Sequence, residues 1–341
     1  MVKVAINGFG RIGRAFIRSA HAANADISIV AINDLGDIKN LAYLLKYDSV
    51  YGRAKFDVSA EGEVLVAGQN KMKKLAEREP AKLPWRDLGV DIVVECTGAF
   101  NDFSKAKAHL DAGAKKVVIS APAKGEPAEA GISGGTILLG LNDDKMSSCQ
   151  ITSNASCTTN AVSPVIAILD EVVGIEKAIL NTTHAYTATQ AIVDGTAKDE
   201  FRRGRAGAIN MSPGSTGAAK ATTLAYPALK GKFDGIAVRV PVAAGSLADV
   251  TFIAKRQTTV EEINAALKKA AGDERWKRVF AITEEELVSS DIIGQPYGSI
   301  ADLTMTRVVD GNLVKVLAWY DNEMGYTHTL VEHVLQAAKT L

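Results

Sequence analysis

A glycine cluster near the N-terminus restricts this chain more than any other feature. Gly8-Phe9-Gly10-Arg11-Ile12-Gly13 follows the apolar run Val2–Asn7 and opens an amphipathic stretch over Arg11–Ala22. A second apolar run, Ile27–Asn33, leads into Asp34, 21 residues after the last glycine (34 − 13). G-x-G-x-x-G between a strand and a helix, with an acidic residue closing the next strand, is the pattern of a dinucleotide-binding βαβ unit. Gly8, Gly10 and Gly13 let the backbone approach a pyrophosphate, which the positive end of the helix favours. Asp34 can accept hydrogen bonds from ribose hydroxyls, and its charge repels a 2′-phosphate. NAD is therefore expected over NADP.

Buried strands over 91–96 and 116–120, with a helix over 102–112 between them, continue the alternation and predict a doubly wound parallel sheet. The rhythm changes after Asn160. Longer strands are predicted over 177–187, 235–242 and 249–256. Two more, over 303–309 and Leu313–Tyr320, flank the hairpin dipeptide Asp310-Gly311. Thr259 precedes Glu261-Glu262 at the start of a helix over 259–271, and 325–341 reads as a final amphipathic helix.

A length of 341 residues with 47% hydrophobic and 23% charged residues suits two cores. Lys plus Arg balances Asp plus Glu at 39 each, which gives no footing for binding nucleic acid or an anionic membrane. The three cysteines, Cys96, Cys149 and Cys157, do not form a disulfide framework. No CxxC occurs and the five histidines are scattered, so no metal site is expected. No signal-peptide pattern opens the chain and no run approaches the roughly 18 apolar residues of a membrane span. The expected compartment is the cytoplasm.

Ser156-Cys157-Thr158-Thr159-Asn160 is the segment with the most chemistry. It joins a strand-like stretch over 149–153 to a helical pattern over 158–173. Cys157 thus sits at a helix start, where the dipole and a basic neighbour can draw a thiol toward thiolate. Cys96 and Cys149 lie in apolar strand patterns and read as core. His184 is the candidate base, although 27 residues (184 − 157) separate it from Cys157. Ser215-Thr216-Gly217-Ala218-Ala219-Lys220 is a hydroxyl-rich turn opening a helix and suits phosphate. Arg239 near a strand end and the basic segment 201–205 are weaker signals of the same kind.

Together these segments resemble the phosphorylating (type I) glyceraldehyde-3-phosphate dehydrogenases. Ile6-Asn7-Gly8-Phe9-Gly10-Arg11-Ile12-Gly13-Arg14 is similar to that family's opening motif, and Ser156-Cys157-Thr158-Thr159-Asn160 to its active-site segment. The likeness continues through 44–51, 217–220 and 319–326. It implies a Rossmann dinucleotide-binding domain over 1–156, an α+β catalytic domain with a large mixed or antiparallel sheet over 157–321, and a helix over 322–341 packing back on the first domain. It implies Cys157 as nucleophile and His184 as its activator. Ser156, Thr158, Thr187, Thr216, Gly217 and Arg239 would handle phosphates, with Arg205 a further contact. Arg11, Ile12, Asp34, Arg78, Ser120 and Asn322 would contact the cofactor, and Tyr326 would pack by the nicotinamide. A loop over about 186–212 resembles the family's S-loop, which reaches a neighbouring subunit and implies a homotetramer. The implied partners are a phosphorylated aldehyde and inorganic phosphate.

Three departures stand out. Gly195-Thr196 replaces the Leu-Pro usual in NAD-specific members, so Thr196 could reach a 2′-phosphate and NADP use is expected beside NAD. Thr189 replaces the usual Asp, and Val242-Ala243-Ala244-Gly245-Ser246 replaces Thr-Pro-x-Asn-Val-Ser. The alternatives are erythrose-4-phosphate dehydrogenase, with the same Cys–His chemistry, and aspartate-semialdehyde dehydrogenase, whose active-site segment differs. An RNA- or protein-binding role finds no support in the neutral charge balance.

Overall fold

A computed structural model describes residues 1–197 and 200–341. The chain divides into two compact units. One comprises Met1–Leu138, Asn142–Ala155 and Leu330–Leu341; the other comprises Leu139–Leu141 and Ser156–Thr329.

The first unit is built on a nine-stranded sheet. Its strands run in the order Gly134–Thr136, Ile151–Ser153, Lys116–Ile119, Ile92–Glu95, Val2–Asn7, Ile27–Asn33, Asn70–Leu75, Val64–Ala67 and Val58–Glu61. The first seven are parallel, and their central members are buried Val/Ile runs, as a sheet covered on both faces requires. The helices Arg11–Ala22 and Phe103–Asp111 begin where the pattern predicts, the second capped by the Asp102 carboxylate. The last two strands join by antiparallel pairing, an edge meander that the parallel expectation did not include. Its turns carry Gly62 and Gly68 in the left-handed region, so glycine-punctuated alternation over 58–75 was the available signal.

A buried polar cluster sits in this unit. The Glu95 carboxylate accepts from Asn7 Nδ2 (2.6 Å), the Thr97 amide (2.7 Å), the Thr97 hydroxyl and His109 Nε2 (3.0 Å). Trp85 Nε1 donates to His109 Nδ1 at 3.0 Å, which leaves the imidazole proton on Nε2, facing Glu95. His333 is also fully buried, between Thr152 Oγ1 (2.7 Å) and Asn154 Oδ1 (3.2 Å), and burial pushes its pKa down to about 3. An unfolded histidine protonates near 6.5, so between about pH 6.5 and 3 the unfolded chain binds the extra proton. His333 therefore stabilises the fold fully above about pH 6.5, and that contribution is lost as pH falls, with a slope approaching ~1.4 kcal/mol per pH unit. Urea midpoints measured from neutral to mildly acidic pH should show this slope in the wild type and a shallower one in His333→Gln. Parallel curves for the two proteins would refute the assignment.

The second unit carries a seven-stranded mixed sheet ordered Ser212–Ser215, Phe233–Val240, Ile175–Ala185, Ser246–Ala254, Leu313–Tyr320, Ser299–Val309 and Phe280–Thr283. Ile175–Ala185 pairs parallel to Phe233–Val240 and antiparallel to Ser246–Ala254. Asp310 and Gly311 both lie at positive φ (47° and 70°), as a two-residue hairpin turn demands. The helix Cys157–Val173 is buried from Thr158 to Leu169, so its sequence is apolar almost all round rather than on one stripe. It packs with the helix Val260–Ala271 and the sheet in one core that includes Val165, Ile166, Phe252, Ile263 and Tyr320.

Candidate functional site

In the first unit, Asn7, Gly8, Gly10, Asn33, Asp34, Leu35, Glu77, Arg78, Cys96, Thr97, Ala99 and Phe100 surround a cleft of about 440 Å³. Each glycine of the cluster has a distinct reason. Gly8 sits at φ +94°, and a Cβ there would lie 2.6 Å from the Thr97 amide nitrogen. A Cβ on Gly13 would lie 2.4 Å from the Gly8 carbonyl oxygen. A Cβ on Gly10 would meet nothing within 4 Å, although Gly10 lines the cleft. The helix Arg11–Ala22 starts at Gly10 with no side-chain cap and no acid in its first turn, which leaves its amide dipoles for an anion. The Asp34 carboxylate is held by two backbone amides, Phe9 N–H (2.8 Å) and Gly36 N–H (2.8 Å). A fixed carboxylate beside an open, uncapped helix start fits the ribose and pyrophosphate of a dinucleotide.

This arrangement predicts that Gly10→Ala leaves stability unchanged within ~0.5 kcal/mol and weakens NAD at least about tenfold, ~1.4 kcal/mol. Isothermal titration beside a thermal melt checks it. An unaltered NAD affinity would show that nothing approaches the backbone there.

The other cofactor candidates are spread more widely. Arg11 ion-pairs with Asp48 at 2.8 Å and lies over the Tyr51 ring. Ile12 and Gly13 are in the helix that the cluster opens. The Ser120 amide donates to the Glu95 carbonyl (2.9 Å). Asn322 and Tyr326 are buried in the second unit, where Asn322 Oδ1 accepts from Ser246 Oγ at 3.0 Å. Thr196, also of that unit, is exposed. Cys149 is buried, whereas Cys96 is half-buried on the cleft wall, because its strand ends one residue earlier, at Glu95.

The second unit assembles the chemical candidates. Ala155, at φ +53°, bends the chain after Ser153 in a conformation that costs roughly 1–2 kcal/mol for a non-glycine residue. Ser156 caps the next helix by accepting from the Thr159 amide (3.1 Å), and Cys157 is that helix's first residue. Cys157 Sγ lies 3.4 Å from His184 Nε2. The parallel register sets His184 directly beside Arg239. The Tyr320 ring meets the imidazole edge-on, with centroids 5.9 Å apart, while its hydroxyl bonds Thr158 Oγ1 and Thr182 Oγ1 at 2.8 Å each. Tyr320 was not among the sequence candidates; a lone tyrosine ending an apolar strand carries no chemical signal by itself.

Electrostatics here differ from the helix-start expectation. Burial pushes the Cys157 thiol up, and the Arg239 charge with the amide and hydroxyl of Thr158 only partly counters this. Burial, and then the Arg239 charge, push His184 down to about 3. Both shifts oppose the helix-start expectation, and in each burial is the larger cause.

Among the phosphate candidates, Thr216 Oγ1 accepts from the Ala218 amide (3.2 Å), and Gly217 caps the helix Ala218–Ala225. The Thr187 hydroxyl bonds that of Thr189 at 3.0 Å. Arg205 is ion-paired with Asp194 at 2.7 Å, on the surface.

The N-terminal NAD binding domain model of the glyceraldehyde 3-phosphate dehydrogenases matches residues 2–103, and the C-terminal domain model matches 156–322. The chain belongs to the glyceraldehyde-3-phosphate dehydrogenase family. The glyceraldehyde-3-phosphate dehydrogenase of Mycobacterium avium is 52% identical over 347 aligned positions, covering 100% of this chain and 99% of its own length. That of Streptomyces coelicolor is 50% identical over 333 positions, covering 97% of each. Glyceraldehyde-3-phosphate dehydrogenase 1 of Streptomyces avermitilis is 48% identical over 342 positions. Family membership bears out the resemblance drawn from the two motifs, and with it the Rossmann domain, the mixed-sheet domain and NAD as the cofactor. Among the described residues no helix is long and apolar enough to cross a membrane.

Proposed function

We propose that this chain oxidises D-glyceraldehyde 3-phosphate to 1,3-bisphosphoglycerate, with NAD as hydride acceptor and inorganic phosphate as acyl acceptor. The observation that carries the chemistry is the 3.4 Å approach of Cys157 Sγ to His184 Nε2 at a helix start. Cys157 adds to the aldehyde carbon while its proton passes by way of His184 to the carbonyl oxygen, giving a hemithioacetal; His184, neutral again, then takes that hydroxyl proton as the hydride leaves. When bound, NAD supplies the acceptor for the hydride that leaves the hemithioacetal carbon, and the result is a thioester on Cys157. Phosphate attacks that thioester, the carbon–sulfur bond breaks to release an acyl phosphate, and the Cys157 sulfur regains the proton held by His184; the Cys157 amide and His184 steady the oxyanion that develops on the way, an interaction often worth ~3–4 kcal/mol. Ser156, Thr158, Thr187, Thr216, Gly217 and Arg239 are the groups assigned to phosphates, with Arg205 a further contact. Gly8, Gly10, Arg11, Ile12, Gly13, Asp34, Arg78, Ser120, Asn322 and Tyr326 are assigned to NAD.

The test is NADH formation with glyceraldehyde 3-phosphate, with and without inorganic phosphate. Turnover should require phosphate and yield an acyl phosphate; phosphate-independent formation of the free acid would overturn the phosphorylating class. The same assay with NADP reads the contest between Asp34 and Thr196. NAD should be preferred, with measurable NADP turnover, and no turnover with NADP would remove Thr196 from the cofactor site.

Ile192, Val193, Phe201, Ile209 and Met211 are each at least 74% exposed in the segment likened to the S-loop. That density of exposed apolar side chains supports a homotetramer, which light scattering tests, a monomer being the contrary result. The cytoplasm is the proposed compartment, in keeping with three unpaired cysteines. Cell fractionation checks it, and recovery outside the cytosol would overturn it.

A further inference from the structure

The segment Val242–Ser246 departs from the family pattern and carries no group assigned to substrate or cofactor. Its last residue is 1% exposed and bridges two others. Ser246 Oγ accepts from the Ala185 amide at 3.1 Å and donates to Asn322 Oδ1 at 3.0 Å. Gly245 makes this approach possible. It sits at φ +85°, and a Cβ there would lie 2.2 Å from the Ser289 carbonyl oxygen. Any side chain at this position would push the bend, and Ser246 with it, away from Ser289.

The bridge decides which way the Asn322 amide points. The backbone there is set independently: Asp321 Oδ1 accepts from the Glu323 and Met324 amides (2.8 and 2.9 Å), and its Oδ2 from the Gly294 amide (2.8 Å). The last torsion of an asparagine is broad and roughly two-fold, so packing alone separates oxygen from NH2 poorly. Hydrogen bonding separates them. A backbone amide only donates, so Ala185 engages a lone pair of Ser246 Oγ and leaves the hydroxyl proton for an acceptor. Asn322 Oδ1 is that acceptor. With the amide reversed, its NH2 would face Oγ and the buried hydroxyl proton would have no acceptor among the described residues. The NH2 group is therefore held facing away from Ser246. Asn322 is only 6% exposed, yet its Nδ2 has no hydrogen-bond partner among the described residues. A buried donor kept without a protein acceptor is suited to a ligand that brings one.

This mount stands beside the reacting groups. Ser246 is the register partner of Tyr320, whose ring meets the His184 imidazole, and Ala185 follows His184. The hydride leaves the carbon bonded to Cys157, so the end of NAD that comes here is its nicotinamide ring. The one polar substituent of that ring is a carboxamide, and the acceptor on it is the carbonyl oxygen. We propose that Ser246 is a positioning residue for the cofactor: it holds the Asn322 amide so that the NH2 group, and not the oxygen, meets the carboxamide, and Asn322 reads the carbonyl oxygen alone. This deepens the assignment of Asn322 to NAD and rests on it. The NH2 of the carboxamide goes unread by Asn322. Ser246 itself touches neither substrate nor cofactor and acts through Asn322.

The test is calorimetric titration of the full chain with NAD and with ADP-ribose, which lacks the nicotinamide ring. Ser246→Ala should weaken NAD about tenfold, the scale of one hydrogen bond, and leave ADP-ribose within about twofold. Ser246→Thr keeps the hydroxyl and should bring NAD back to within about threefold of wild type. Equal losses for the two ligands in Ser246→Ala would make Ser246 merely structural, and an unchanged NAD affinity would mean that the amide keeps its direction without it; either result overturns the proposal. In the wild type, 3-acetylpyridine adenine dinucleotide retains the carbonyl and lacks the NH2, so it should bind within about threefold of NAD. A loss of about tenfold or more would place the Asn322 oxygen at the ring and overturn the proposal, even if Ser246→Ala does not fold. None of these readouts involves turnover. Failure to oxidise glyceraldehyde 3-phosphate leaves the affinities standing, and an active enzyme whose Ser246→Ala variant loses both ligands equally refutes the mount and spares the proposed activity.

Discussion

Cys157→Ser will lower phosphate-dependent NADH formation by at least about three orders of magnitude, ~4 kcal/mol of transition-state stabilisation, with the fold unchanged. The substitution keeps side-chain size and the helix start, so the thermal midpoint should hold. What it removes is the nucleophile's acidity. A neutral imidazole 3.4 Å away can take a thiol proton as the carbon–sulfur bond forms, but a serine hydroxyl is far less acidic and lacks sulfur's polarisability. His184→Asn should cost a smaller factor, ~10²–10³, because the thiol survives and only the base is lost. The two changes act on one step, so the double variant should be little worse than Cys157→Ser alone. Steady-state rates for the three variants, with circular dichroism as the fold control, check this. A serine variant within tenfold of wild type would remove Cys157 from the reaction.

The second large effect is on stability. Glu95→Ala should destabilise the first unit by about 3–5 kcal/mol. The Glu95 side chain is entirely buried, and its carboxylate is the acceptor for Asn7, His109 and two groups of Thr97. Removing it leaves Asn7 and His109 short of an acceptor in the interior and opens a cavity, and those costs add, while the Thr97 groups at the cleft wall can turn to water. Glu95→Gln keeps one acceptor oxygen but turns an amide toward other donors, so it should cost less, ~1–3 kcal/mol. Asn7 and Thr97 also line the cofactor cleft, so both variants should bind NAD more weakly. Urea unfolding of the cofactor-free protein gives the first number and titration calorimetry the second. A loss below ~1 kcal/mol for Glu95→Ala would mean that water satisfies the abandoned donors.

The sequence was most legible where the determinants are local. The strand–glycine–helix unit over Val2–Ala22, the Thr259 cap and the Asp310-Gly311 hairpin each depend on neighbours within a few positions, and each stands where its pattern places it. Strand edges were less legible: the strand expected over 177–187 runs Ile175–Ala185 and that over 235–242 runs Phe233–Val240. In both cases apolar residues continue past the last ladder bond into the polar turn. The edge meander over 58–75 was missed because two of its strands have four residues each, too few for a period to register.

From residue order alone, the chain was readable as a dinucleotide binder with a cysteine at a helix start, because glycine geometry and helix polarity operate over a turn or two. Sequence could not bring Cys157, His184 and Arg239 together, since that depends on the register of Ile175–Ala185 against Phe233–Val240, and a slip of one residue would turn Arg239 to the opposite face. Nor could it reveal that burial pushes the Cys157 thiol up, or that Glu95, at the end of an apolar strand, is the acceptor around which Asn7, Thr97 and His109 are arranged. Desolvation and hydrogen-bond satisfaction depend on what surrounds a side chain in space, and here that environment comes from segments 88 residues apart around Glu95 and 162 apart beside Cys157.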